Sequence, residues 1–544
     1  MLPLPKYLGR MLSALSLCLG GLAAGQEDAL SRLVLREVPL PWQAEWRRDD
    51  FENCTPAAAI RVQDAKTKES AWLVPGDAVK RPEDGHWLLR HPAWAKALLN
   101  VSGNPGPLMY DPKLKGEYDI ILNLRAVDPR TETQIRLVGE AEFETVRTAE
   151  ATRQRHFSED VVWRKRQRLD GRRVEFRASP GFRCYLQGLT FVPAGKSGVK
   201  RRVATDRVTV AQTPGRHYAF PGLARLKDGE LVVVFRDGVE HVCAHGRIAL
   251  VRSKDGGRTW TKPVTIADTP SDERDPSVHV LPDGRMLVTM NVWNSWLANP
   301  VLRKRFAHQT ARIEADGART YTGAKMMVSD DGGSTWGDAF RIPPFSPHGP
   351  RVANDGSLYY IGARTVRPRR RVEFWRAAEG DIRAWQRVGL VADHEWAATG
   401  PKRLAAYEEP NVAQLPDGTW LACLRVNSDG LVRTSRSTDG GATWSEPETT
   451  PVRGFPQHLL PLQDGRILMT YGYRFHPAGV RAVLSSDGGR TWDLENEIIL
   501  RLNAADWDLG YPVSLELEPG LVLTVYYISD KPGNCFIEGA FYRP

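Results

Sequence analysis

Ser253-Lys254-Asp255-Gly256-Gly257-Arg258-Thr259-Trp260 is one of four octets built on the template Ser-x-Asp-Gly-Gly-x-Thr-Trp. The others are Ser329–Trp336, Ser437–Trp444 and Ser485–Trp492. Glycine takes positive φ without steric cost, and aspartate bonds the backbone two residues on, so Asp-Gly-Gly predicts a tight turn. Thr and Trp are then expected to open the following strand, with the Trp packed between neighbouring sheets. A second motif runs between the octets: an apolar strand, a glycine turn and another apolar strand. It occurs six times, with turn glycines at Gly229, Gly284, Gly356, Gly418, Gly465 and Gly520, a spacing of 47 to 72 residues. Short strands repeating at about that period predict one four-stranded sheet per repeat, a β-propeller. Six turns predict six blades over residues 207–544. The isolated strand Arg207–Gln212 is expected to complete the last blade and so remove its open edge.

Upstream the character changes. Alternating apolar and polar residues at Tyr118–Ala126, Val174–Ala178 and Cys184–Val192 read as half-buried strands, and a short helix is expected at Ala93–Leu99. Residues 27–195 therefore predict a β-sandwich, either a carbohydrate-binding module or a buttress for the propeller. The polar, basic stretch 196–206 reads as a linker. Within the propeller, Trp375 and Trp385 lie where a third-repeat octet would fall. Leu297–Tyr321 and Arg364–Lys402 read as long insertions at the rim of a site.

Lys6 and Arg10, the apolar run Met11–Ala24 and the small residues after Gly20 predict a signal peptide over residues 1–25, hence a secreted or periplasmic protein. No other stretch has spanning length, so no membrane span is expected. The five cysteines that would remain, Cys54, Cys184, Cys243, Cys423 and Cys535, match no zinc spacing and propose no disulfide framework. Lys and Arg total 74 against 65 Asp and Glu, a formal charge of +9. No long basic run or nucleic-acid motif accompanies that charge, which excludes nucleic acid as the expected partner. An acidic glycan is the partner it fits, with genome-wide arginine bias as the bland alternative. Nothing in the sequence bears on oligomeric state.

The octets resemble the Asp-box of the sialidase superfamily, and the resemblance covers about 340 residues. Asp-boxes mark the blade periphery and identify a fold, not a site. The resemblance implies further residues at the blade centres. Glu409, in Glu408-Glu409-Pro410-Asn411-Val412, matches the family's glutamate. Tyr511, in Asp508-Leu509-Gly510-Tyr511-Pro512-Val513-Ser514, matches its nucleophilic tyrosine. A phenol is a weak nucleophile near neutral pH, so a carboxylate that takes its proton makes chemical sense. Arg425 stands where the family has a second carboxylate-binding arginine, and Arg474 where it has a third. Asp275, in Asp275-Pro276-Ser277, resembles a substrate-contacting aspartate, with Arg274 and Arg236 as additional cations. The chain departs from the family in its first blade. The family's Tyr/Phe-Arg-Ile-Pro reads Tyr218-Ala219-Phe220-Pro221 here, without the arginine. Counting back from the first octet sets His241 near the family's acid/base aspartate, with Glu240 and Asp237 as alternatives. The resemblance implies an exo-acting, retaining glycoside hydrolase on sialic acid or a related acidic sugar, with no metal or organic cofactor. A hydrolase or lyase on another acidic or neutral sugar, and a non-catalytic glycan-binding protein, stand as the other readings.

Overall fold

In the computed structural model, residues 200–544 are described apart from 318–320, 344, 397–405, 428–429, 475–477, 495, 503, 506 and 532–533. Before residue 200 it describes the strand backbones from Leu35 onward, with side chains in part from residue 112. The expected signal peptide, Cys54 and Cys184 lie outside the described residues. Among the described residues no helix is long and apolar enough to cross a membrane.

Strands dominate, and their order follows the repeats. Six antiparallel four-strand runs are led by His217–Arg225, Asp272–Val280, Arg351–Val352, Tyr407–Gln414, Gln457–Pro461 and Gly510–Glu518. Each leading strand turns into the second strand of its run at one of the six motif glycines, every one of which has positive φ, from 74° to 99°. Asp206–Ala211 pairs antiparallel with the C-terminal strand Asn534–Tyr542, so the isolated early strand does supply the fourth strand of the last run.

Contacts pass from each leading strand to the next. A Cβ on Gly222 would meet Ser277 Cα at 2.8 Å, so only glycine permits that approach. His279 Nε2 lies 3.1 Å from the His348 carbonyl, and Arg351 Nε donates to the Val412 carbonyl. The amide of Leu459 donates to Asn411 Oδ1, the amide of Ser514 approaches His458 Nδ1, and the Tyr511 and Phe220 rings meet at 4.7 Å. One cavity of about 430 Å³ is lined by residues of all six leading strands.

The octets do the local work expected of them, with two corrections. Asp255 Oδ1 accepts from the amides of Arg258 and Thr259, three and four residues on rather than two, and Oδ2 accepts from the Thr259 hydroxyl. Ser253 Oγ donates to Asp255 and accepts from the buried amide of Gly257. The next strand begins only at Val264, past the Trp. The indoles do pack across runs: Trp444 meets Phe374 of the preceding run at 5.2 Å. These hydrogen bonds hold Asp255 at about 2, below its ordinary value. Its stabilising contribution is therefore present above pH 4 and lost as pH falls through 2. Ser253→Ala should strand a buried amide and cost about 1–2 kcal/mol, read as a lower urea midpoint at unchanged slope.

Other expectations are revised. The third run has no octet: Ala378 turns directly into Asp381 through Gly380, and both tryptophans lie in that hairpin. Most of Arg364–Lys402 is not an insertion but the long strands Arg369–Ala378 and Asp381–Glu395. Leu297–Tyr321 is a genuine insertion, with helices Pro300–Arg305 and Ala307–Asp316 packing Phe306 and Ile313 against Trp296, Cys243 and Ala244. Upstream, two antiparallel sheets share one core of Ile120, Leu122, Leu189 and Phe191 from one and Ile135, Leu137 and Phe176 from the other. The helix expected at Ala93–Leu99 gives way from Ala97 to strand Ala97–Ser102; residues 91–96 are outside the described ones. Within the stretch expected as a linker, Lys200–Ala204 is a strand, paired with Leu35–Pro39 and, in parallel, with Ile498–Arg501 of the fifth run. A chain truncated to begin at Asp206 would uncover the edge at Ile498–Arg501. Such a chain is expected to aggregate at concentrations where the full chain is monodisperse, as read by light scattering.

Candidate active site

Four leading strands carry the same irregularity. Their ladders skip between Ala219 and Gly222, Arg274 and Ser277, Glu408 and Asn411, and Gly510 and Val513. Each skip is a β-bulge, and the extra residue in each is left-handed: Phe220 at φ 57°, Asp275 at 49°, Glu409 at 43° and Tyr511 at 48°. Proline follows every one of them. Gly349, at φ 63° before Pro350, and Phe455 before Pro456 hold the corresponding places in the third and fifth runs. Non-glycine residues held left-handed cost about 1–3 kcal/mol each, and such strain gathers at sites that aim side chains. Here the bulges turn Asp275, Glu409 and Tyr511 out of the pleat into one neighbourhood.

The centre is a hydrogen bond of 2.6 Å from the Tyr511 hydroxyl to Glu409 Oε1. Glu409 Oε2 accepts from Arg425 Nη1, and Arg425 Nε donates to Asn427 at 2.8 Å. Arg474 donates through Nη2 to the Leu509 carbonyl at 2.9 Å, and its guanidinium lies 5.7 Å from the Tyr511 ring. Burial acts to raise the Glu409 carboxyl. The Arg425 charge, the hydrogen bonds from Tyr511 and Arg425, and the Arg474 charge outweigh it and hold Glu409 below its ordinary value. Burial and the charges of Glu409 and Asp275 push the Tyr511 phenol well above 10. At neutral pH the pair is therefore a phenol donating to a carboxylate.

Asp275 has the opposite character to Glu409. Burial pushes its carboxyl up to about 7, with Arg274 opposing and the Glu409 charge adding to the push. It is 5% exposed, and its Oδ1 has no hydrogen-bond partner among the described residues. A carboxylic acid half-protonated at neutral pH fits a proton donor.

His241 joins the same cluster through Phe220, whose ring lies 5.7 Å from the imidazole and 4.7 Å from Tyr511. Its Nδ1 lies 2.9 Å from Asp508 Oδ1, and His217 Nε2 lies 2.7 Å from Oδ2. The Tyr527 hydroxyl also donates to Asp508. Burial opposes the Asp508 charge, but the two imidazoles hold its carboxyl well below the usual range. Burial lowers the His241 pKa, Asp508 opposing and Arg274 and His217 adding to the fall. The neutral ring keeps its proton on Nδ1, while Nε2 faces Arg274 Nη2 at 3.4 Å. His241 therefore has no proton on Nε2 to give at neutral pH, a physical objection to the acid role expected of it.

His217, His241 and Asp508 also have metal-ligand spacing, their donor atoms lying within 4.8 Å of one another. Ligating imidazoles donate their second N–H to an acceptor. His241 Nε2 faces a guanidinium instead, and His217 Nδ1 is buried without a partner among the described residues. The donor set fits a hydrogen-bonded triad better than an ion.

The remaining sequence candidates separate. Arg274 stacks on Phe220 at 4.8 Å and Trp293 at 5.1 Å, at the cluster's edge, and pairs with Asp272 at 3.1 Å. Arg236 is wholly enclosed, bound to Asp272 at 2.7 Å and to the Glu240 carbonyl. It braces the first run and is fully buried there. Glu240 pairs with Arg305 at 2.8 Å; Asp237 pairs with Arg216 and Arg247. The sequence reading missed Phe220, Asp508, His217 and the aromatic flank of Trp293 and Trp507. The x-Pro repeated within or just before each leading strand is the signal that finds Phe220.

Residues 297–523 match the family described as BNR repeat-like domain. A sialidase of Micromonospora viridifaciens is 29% identical over 135 residues, 19% of this chain and 21% of that protein, so the chain spans about a fifth of this relative's length. A solved protein of unknown function from Dyadobacter fermentans is similar at a TM-score of 0.53 and 25% identity, over 62% of this chain and 98% of that one. A Hadza microbial sialidase aligns at a TM-score of 0.46 and 16% identity, over 80% of this chain and 95% of that one. Over residues 297–523 the chain is thus similar to BNR repeat-like domains, and over 135 residues to a sialidase.

Proposed function

We propose that the six four-strand runs are the blades of one closed propeller, preceded by a β-sandwich over residues 27–195, and that the protein is an exported, retaining exo-glycoside hydrolase of the sialidase type. The observation that carries the catalytic reading is the 2.6 Å hydrogen bond joining Tyr511 to Glu409 across 102 residues of chain. A glycan-binding protein has no need of a buried phenol–carboxylate pair on two strained bulges.

In the reaction, Tyr511 Oη attacks the anomeric carbon as its proton passes to Glu409, and the bond to the leaving oxygen breaks. That oxygen takes the proton of Asp275. Asp275, now ionised, accepts a proton from the water that displaces Tyr511, and Glu409 returns its proton to the phenol. Both groups end as they began. A neutral nucleophile avoids repulsion with an anionic sugar, and Arg425, Arg474 and Arg274 are the cations within reach of one.

The substrate is a terminal sialic acid or a related acidic sugar. Ala219, where the family has a carboxylate-binding arginine, favours a second reading in which the sugar is a uronide or neutral. Fluorogenic sialosides assayed beside uronides and neutral glycosides separate the two. Sialoside turnover within tenfold of the best substrate supports the first reading, and a preference of a hundredfold or more for another sugar replaces it with the second. No turnover of any of them overturns the hydrolase reading.

A further inference from the structure

The cavity that all six leading strands line lies further along those strands than the active-site cluster. Tyr511 and Ser514 are three residues apart on one strand, roughly 10 Å. Arg351 and Arg225 line this cavity with His279, His458 and Ser514, and its lining includes no aspartate or glutamate. Arg236, Arg274, Arg425 and Arg481 each face a carboxylate, but Arg351 faces none among the described residues. It is half-buried, donating through Nε to the Val412 carbonyl at 3.2 Å and through Nη2 to His458 Nε2 at 2.7 Å. That leaves three of its five N–H groups without a partner among the described residues.

The other lining side chains are uncharged or cationic. Because Nε2 of His458 accepts from Arg351, the neutral ring's proton sits on Nδ1, which lies 3.4 Å from the Ser514 amide. Arg225 is held on the carbonyls of Leu517 and Glu516, again without a carboxylate. A cation lining a cavity and lacking any counter-charge among the described residues is a half-built ion pair. Burial lowers the Arg351 pKa to about 10, which leaves it charged at neutral pH.

We propose that this cavity binds a small oxyanion, a carboxylate or an inorganic phosphate or sulfate, gripped by the Arg351 fork. The volume of about 430 Å³ admits such a ligand. The site is separate from the Tyr511–Glu409 centre and does not depend on the function proposed for it.

The test is thermal unfolding of the full chain in phosphate, sulfate and acetate against chloride at matched ionic strength. The wild type should show a saturable rise of Tm, about 3 °C or more at a hundredfold excess over Kd. A response to acetate marks a carboxylate ligand, and one confined to phosphate and sulfate an inorganic anion. Arg351→Gln should abolish the rise, and Arg351→Lys, which keeps the charge and loses the fork, should weaken binding about tenfold. Arg351→Gln loses the hydrogen bonds to the Val412 carbonyl and His458, so each variant's rise is measured from its own Tm in anion-free buffer. Arg474→Met, at the other centre, should keep the rise. The absence of any response beyond chloride in the wild type would mean that the cavity holds water alone, and would overturn the proposal. So would a rise that survives Arg351→Gln and disappears with Arg474→Met.

Discussion

Replacing Tyr511 with phenylalanine is expected to lower turnover by roughly 10³–10⁵-fold while KM moves by no more than a few fold. The variant keeps the ring that packs on Phe220 and loses only the oxygen that donates to Glu409. Binding contacts thus survive, and what is lost is a bond made only on the reaction path. Glu409→Gln should be milder, about 10²-fold, because the phenol remains but must lose its proton without a base. It also leaves Arg425 facing a neutral amide, so a fall in Tm should accompany it. Steady-state kinetics on an aryl glycoside measure both. If Tyr511→Phe retains a tenth or more of wild-type turnover, the phenol is not the nucleophile, and the hydrogen bond to Glu409 is a structural one.

Much of this site can be read from sequence because the repeat fixes where strands begin. Turn glycines and octets are local signals, each complete within ten residues, and they locate Glu409 and Tyr511 at the starts of two leading strands. Their partnership spans 102 residues, yet it could be anticipated since both fall at the same point of the repeat. The features that the sequence does not disclose depend on long-range pairing or on burial. Asp508 is 267 residues from His241, and only folding shows that it fixes the His241 proton on Nδ1. Arg236 looks like a free cation at a strand end, but it is enclosed against Asp272. Asp275 looks like an ordinary ionised rim carboxylate until burial and Glu409 are taken into account. The x-Pro dipeptides are a local signal that was overlooked. Proline after a left-handed residue is an unusual demand on the backbone, and its recurrence marks the bulges directly.

Asp275→Asn tests the proton donor, and its two expected effects run in opposite directions. Asparagine matches aspartate in size and tolerates the left-handed backbone at this position, so the fold should be kept. The folded-state pKa of Asp275, about 7, lies above that of an unfolded aspartate, about 4. Its protonated form is therefore stabilised by folding. Below pH 4 the group costs nothing, and stability is lost progressively as pH rises from 4 to 7. Removing the charge should return that loss, stabilising the variant at pH 8 by on the order of 2–4 kcal/mol relative to wild type, with no difference at pH 4. Activity should move the other way. Without a proton for the leaving oxygen, kcat/KM on alkyl glycosides should fall about 10²–10⁴-fold, and far less on activated aryl glycosides, whose leaving groups depart as anions. In the wild type the alkaline limb of kcat/KM on alkyl glycosides should fall near pH 7, and in the variant that limb should vanish. His241→Ala should leave the limb in place. If it is His241→Ala that removes the limb and sensitises the poor leaving groups, while Asp275→Asn does neither, then the imidazole carries the proton and Asp275 only contacts the sugar.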